Sequence, residues 1–269
     1  MAEVRLDDAL LQRLIEEYDT PEVIGFGLSG SFARGDATRY SDVDLLRFVR
    51  SGESAPEMRY VEGVLLSLST FTIEHERAQF SRPAEVIWII PMLRRMRILL
   101  DRDGELARLQ LDAELFDWEP LRDAAEAHAS HDLVGYTEEL HKVLSALART
   151  DETAMAYATM GVVLGMVNIM AVAKGILINS ESLYFREVGT AVGTNSAWTH
   201  QLRLALGINE STGAQFAPVD EVSTVYTRAQ ASLRLYRETA KLLEPILRPE
   251  DRQVVHTCST LLDQHTIGD

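Results

Sequence analysis

Only one cysteine, Cys258, occurs in the 269 residues, so an internal disulfide is excluded and the fold must rest on its packed core. Basic residues are scarce beside acidic ones: 26 lysines and arginines face 41 aspartates and glutamates, for a formal charge of -15. That balance argues against a long polyanion as substrate, because nucleic-acid binding draws on clustered cations. It suits a cationic small molecule, and equally a merely soluble acidic surface. The start of the chain shows no basic region followed by an apolar run and a cleavage site, which with the lone cysteine gives a cytoplasmic protein as the expectation. Long apolar runs are also missing, with one exception. Residues 153–173 are uncharged and long enough to cross a bilayer at ~20 residues, but they carry Thr153, Tyr157, Thr159 and Asn168. A buried central helix, not a membrane span, is expected there.

What is present suffices for a core: hydrophobic residues make up 46% of the chain, enough for one large domain or two smaller ones. Residues 5–18 place Leu6, Leu10, Leu14 and Ile15 at helical spacing, and Thr20-Pro21 closes that segment. Runs rich in β-branched and aromatic residues follow, at 22–28, 42–49 and 61–73, with residues 51–56 breaking the second from the third. Residues 84–90 fit helix or strand, residues 99–100 a strand end, and residues 105–116 a helix. Asp101 and Asp103 sit in a turn signal and read as turn formers. From Trp118-Glu119-Pro120 the texture changes to long helical stripes at 121–150, 151–178, 181–192, 196–206, 220–247 and 249–265. Gly161-x-x-x-Gly165 permits close approach and marks its helix as the centre of a bundle. His128, His131 and His141 have no cysteine or ordered carboxylate to complete a metal set, and read as exposed. The expected organisation is α+β: residues 1–117 as a small mixed β-sheet with flanking helices, then residues 118–269 as an α-helical bundle.

The chemistry concentrates in Gly30-Ser31-Phe32-Ala33-Arg34-Gly35-Asp36-Ala37-Thr38-Arg39-Tyr40-Ser41-Asp42-Val43-Asp44. Glycine lets backbone N–H groups approach a ligand and a serine hydroxyl adds a donor, which suits phosphate oxygens. Asp42 and Asp44 open a strand, where residues two apart project from one face. Paired carboxylates repel unless a cation lies between them, and Mg²⁺ prefers such oxygens. Two metals ~3.5–4 Å apart serve in-line displacement at phosphorus. Gly25-x-Gly27-x-x-Gly30 also fits the dinucleotide fingerprint by letter, but residues 31–41 show no helical stripe to follow the last glycine, so that reading is set aside.

The pattern Gly-Ser-x-Ala-Arg-Gly, five residues, then Ser-Asp-x-Asp-Leu resembles the signature of the DNA-polymerase-β-like nucleotidyltransferase superfamily over residues 22–49. The resemblance implies Gly30 and Ser31 on the nucleotide phosphates, with Arg34 and Ser41 beside them, and Asp42 and Asp44 on the metals, two Mg²⁺ with Mn²⁺ as substitute. Arg34 and Arg39 lie in the intervening loop, where solvation is an equal reading.

The superfamily usually adds a third carboxylate from a neighbouring strand, which completes the metal site or takes a proton. Here the middle of the run 61–73 offers Ser67, Ser69 and Thr70, and no acid. Glu74 and Glu76, read at the strand's end one repeat apart, are the remaining candidates, with Glu76 first by analogy with lincosamide-modifying relatives. Glu138 with Glu139, or Glu181, Tyr184 and Arg186, are unselected candidates for acceptor or nucleotide contacts.

The two-part layout resembles antibiotic nucleotidyltransferases acting on aminoglycosides or lincosamides. It implies transfer of AMP from Mg-ATP to a hydroxyl of a small, cationic molecule with release of pyrophosphate, by a protein that binds neither nucleic acid nor membrane and is compatible with a homodimer. Two alternatives stand beside it: a protein-modifying nucleotidyltransferase, against which the long helical half argues, and a nucleotide-binding module with a decayed site.

Overall fold

The computed structural model describes residues 6–52, 56–208 and 224–266. Residue 5 of the first expected helix, residues 53–55 of the expected break and residues 220–223 of a later helix lie outside the described residues. The chain divides into two compact units, Met1–Trp118 with Leu177–Ser180, and Glu119–Ile176 with Glu181–Asp269.

The first unit is built on a five-stranded mixed sheet in the order β3-β4-β2-β1-β5. β1 (Val23–Leu28) pairs antiparallel with β2 (Val43–Val49) and with β5 (Arg97–Asp101), while β4 (Val64–Phe71) runs parallel to β2 and antiparallel to β3 (Glu57–Val61). Helix α1 (Asp8–Tyr18), capped by the Asp7 carboxylate on the Ala9 amide at 3.0 Å, lays Leu10, Leu11 and Leu14 on one face of the sheet against Phe26, Leu28, Val43, Leu45, Leu66 and Leu68. The other face explains the decoy glycines. A Cβ at Gly25 would lie 2.5 Å from the Leu100 carbonyl oxygen and strike the Leu106 side chain, and one at Gly27 would overlap the Met96 sulfur. Both are glycine so that neighbouring segments can close on β1, and the antiparallel pairing of β1 rules out a dinucleotide fold.

The structure departs from expectation between residues 57 and 79. The stretch expected to be one strand is the second arm of a hairpin whose first arm, β3, is an exposed edge strand turning at Glu62 (φ 51°) and Gly63 (φ 84°). Residues 73–79 then form helix α3 (Ile73–Gln79), with Thr72 accepting from the His75 amide at 3.2 Å. Residues 84–90 are helical, within α4 (Pro83–Arg95), and α5 (Glu105–Glu114) follows β5 with the Asp101 carboxylate accepting from the Ala107 amide at 3.0 Å.

Pro91 lies inside α4 and has no N–H to give the carbonyl of Ile87 four residues earlier. The amide of Ile178 donates to that carbonyl instead, at 2.8 Å. A segment from the far side of a long helix thereby completes the first unit's hydrogen bonding, a return that the helical stripes do not announce.

In the second unit, the stripe 121–150 breaks into α6 (Arg122–Gly135) and α7 (Thr137–Ala148), with Tyr136 between them. Helix α8 (Glu152–Ala173) packs against both, and against α9 (Tyr184–Gly193), α10 (Ala197–Leu206) and α11 (Val225–Leu243). It is long and apolar enough to cross a membrane, with 67% of its apolar window buried in protein. Its glycines admit side chains and not a second backbone: a Cβ at Gly165 would overlap the Tyr136 ring, and one at Gly161 would lie 3.0 Å from Glu139 Oε2. Helix α12 (Pro249–Thr266) is tied to α6 by the Ser130 hydroxyl, which donates to Asp251 Oδ2 at 2.6 Å and accepts from the Arg248 amide at 2.9 Å.

Candidate active site

β1 ends at Leu28, and the chain turns through Ser29 into a single helical turn, α2 (Gly30–Arg34). Five residues are too few to show a helical stripe, which is why residues 31–41 read as wholly irregular. Ser29 donates its amide to the Asp44 carbonyl at 2.9 Å, joining this turn to the start of β2. Gly30 has φ +65°, and a Cβ built on it would fall on Asp44 Oδ2. Only glycine meets both demands, the left-handed backbone and the carboxylate pressed against it.

Asp42 immediately precedes β2 and Asp44 is its second residue. Val43 and Leu45, which alternate with them, are 1% and 0% exposed and face the α1 core, whereas both aspartates are half-buried. The two carboxylates therefore share the opposite face, beside the Gly30-Ser31 turn. Ser31 is half-buried, and its carbonyl accepts from the amides of Gly35 and Asp36 at 2.9 and 3.1 Å.

The other motif residues are more committed than the sequence suggests. Arg34 closes α2, not a loop, and pairs with Asp36 through Nη2 at 3.2 Å and Nε at 3.3 Å. Arg39 lies over the Tyr40 ring, 4.5 Å from its centroid. The Ser41 hydroxyl accepts from the Thr38 amide at 2.9 Å and shapes the approach to Asp42.

On β4 the residue in register with Asp44 is Ser67, so the neighbouring strand offers a hydroxyl where an acid was sought. Glu74 and Glu76 sit on a helix, and two residues there are turned about 200° apart. Glu74 points to solvent, whereas Glu76 joins Ile73 and Gln79 on the buried face. Glu76 is 0% exposed, and neither carboxylate oxygen has a hydrogen-bond partner among the described residues. Burial pushes its pKa up from 4.5 to about 7. The signal for this helix was present, a threonine followed by acids in the next turn.

Among the described residues no three His, Cys, Asp or Glu side chains gather as a metal set. Asp42 and Asp44 alone form the donor pair. That suits Mg²⁺, which takes one or two protein carboxylates and fills its remaining positions with water and substrate phosphate. The cradle at Gly30, which a single methyl group would fill, fits the same hard-oxygen chemistry.

Residues 8–90, from α1 into α4, match the family model described as a nucleotidyltransferase domain. The match takes in the Gly30-Ser31 turn, Asp42, Asp44, Glu74 and Glu76, and covers less than half of the chain. Among solved structures, the nucleotidyltransferase-like protein from Exiguobacterium sibiricum 255-15 aligns over 88% of this chain and 75% of its own, at 14% identity and a TM-score of 0.48. No curated protein matches the chain.

Proposed function

We propose that the protein transfers a nucleoside monophosphate, AMP from ATP, to a hydroxyl of a small cationic acceptor. The observation that carries this reading is the closure of Gly30 onto the Asp44 carboxylate, which makes the phosphate turn and the carboxylate pair one site. Asp42 and Asp44 would hold a divalent metal, which would supply neutralising charge to the triphosphate. The Gly30-Ser31 turn positions the phosphates. The acceptor oxygen forms a bond to the α-phosphorus as the bond from that phosphorus to the bridging oxygen breaks, and pyrophosphate leaves with the electron pair. The acceptor's proton goes to a base, and Glu76 is our candidate because its carboxylate follows β4 and has no hydrogen-bond partner among the described residues. Its enclosure means that α3 must shift before Glu76 meets an acceptor. The chain's charge of -15 supports a cationic acceptor.

The same enclosure favours a second reading, a nucleotide-binding module without turnover. Asp42→Asn separates the two. Pyrophosphate release from ATP, GTP, CTP and UTP is measured with Mg²⁺ and a panel of aminoglycosides and lincosamides. Acceptor-dependent release in the wild type that falls by about 10³ or more in Asp42→Asn supports transfer, whereas nucleotide binding without release under any acceptor supports the module.

A further inference from the structure

In a chain with 41 acids and 26 bases, arginines are readily claimed by carboxylates. Arg13 lies on Glu62, Arg77 on Asp112, Arg102 on Asp19 and Arg248 on Asp123. The groove of about 530 Å³ between α11 and α12 follows this rule, its charges cancelled by Arg237 with Asp263 and His256 with Glu244. A second cavity, of about 410 Å³ in the α9–α10 hairpin, does not.

Two arginines line that second cavity, Arg186 from α9 and Arg203 from α10, and among the described residues no carboxylate does. Neither arginine side chain has a hydrogen-bond or ion-pair partner among the described residues. Thr190 contributes a hydroxyl, while Phe185, Leu202 and Leu206 give apolar wall. Phe185 is held by stacking on Tyr184, with ring centroids 5.8 Å apart and planes at 20°. The hairpin itself is fixed, since Thr199 donates to the Gly189 carbonyl at 3.0 Å and Ser196 caps α10. Uncommitted guanidinium forks beside a hydroxyl select an oxyanion, and the apolar wall selects a ring or short chain attached to it. The volume falls in the range of small-molecule sites, roughly 300–1,000 Å³.

We propose that the α9–α10 cavity is a binding site for a small molecule carrying one compact oxyanion, carboxylate or phosphate, on an apolar body. The site lies wholly within the second unit and does not depend on the nucleotidyl-transfer reading.

The test uses the full chain and ¹⁹F spectroscopy with three probes: 4-fluorophenyl phosphate, 4-fluorobenzoate and the neutral 4-fluorobenzyl alcohol. One or both anions should bind with one saturable site, and the response of each names the oxyanion preferred. Affinity should fall about tenfold or more in Arg186→Gln and in Arg203→Gln, and further in the double variant, while Arg149→Gln, an exposed arginine elsewhere, binds as wild type does. Both substitutions replace side chains without partners among the described residues, so circular dichroism should be unchanged. Absence of saturable anion binding, equal binding of the neutral alcohol, or unchanged affinity in the double variant overturns the proposal.

Discussion

Replacing Glu76 by glutamine should strengthen the fold above neutral pH while removing any proton transfer that residue performs. Glu76 is fully enclosed, and both its oxygens lack partners among the described residues. Its pKa is raised from the ordinary 4.5 to about 7 by burial alone. The sign follows from proton counting: between those two values the folded chain holds the proton and the unfolded chain has lost it, so stability falls as pH rises. Below 4.5 both states are protonated and nothing is lost; above about 7 the whole cost is present. At about 1.4 kcal/mol per pH unit, that gap makes about 3 kcal/mol. Glutamine has nearly the same shape and no charge to desolvate, so Glu76→Gln should be more stable than wild type by about 3 kcal/mol at pH 8, with the advantage vanishing near pH 4.5. Urea unfolding followed by tryptophan fluorescence at pH 5, 6, 7 and 8 measures this difference directly. An advantage that does not grow with pH would refute the claim that Glu76 is an unpaired buried carboxylate. Loss of transfer activity in the same variant would mark it as an acid kept for chemistry at the expense of stability.

Gly30→Ala combines a Cβ placed on the Asp44 carboxylate with a φ of +65°; it should abolish metal-dependent nucleotide binding by calorimetry and lower stability by about 1–3 kcal/mol. Gly165→Ala drives a methyl into the Tyr136 ring and should cost about 1–3 kcal/mol, a loss that Tyr136→Ala in the same chain relieves in a double-mutant cycle. Ile178→Pro removes the N–H that satisfies the Ile87 carbonyl and should destabilise the first unit by about 1–3 kcal/mol, seen as hydrogen-exchange deprotection in α4.

The α+β class was legible because each half keeps one period: short β-branched runs before residue 118, and helical stripes after it. The Asp42 and Asp44 spacing was legible for the same reason, since strand alternation places residues two apart on one face. The closeness of Gly30 to Asp44 was not, because a positive φ and a contact across fourteen residues leave no periodic trace. β3 was missed because an exposed edge strand lacks the buried alternation that betrays strands. The orientation of Glu76 was missed for want of a period: α3 spans seven residues, and two glutamates two apart mean one face in a strand and opposite faces in a helix.

The Ile178 amide that satisfies the Ile87 carbonyl also orders events during synthesis. The sheet and its helices are complete in the chain by Trp118, yet the donor for α4 belongs to the stretch Leu177–Ser180, about sixty residues later. At translation speeds of ~5–20 residues per second, α4 waits several seconds with a bare carbonyl above its proline. The first unit is made first but finished only after α8 has emerged. A nascent chain stalled between Trp118 and Leu177 should therefore hold its first unit in a form that proteases nick near Pro91 and that the released protein resists.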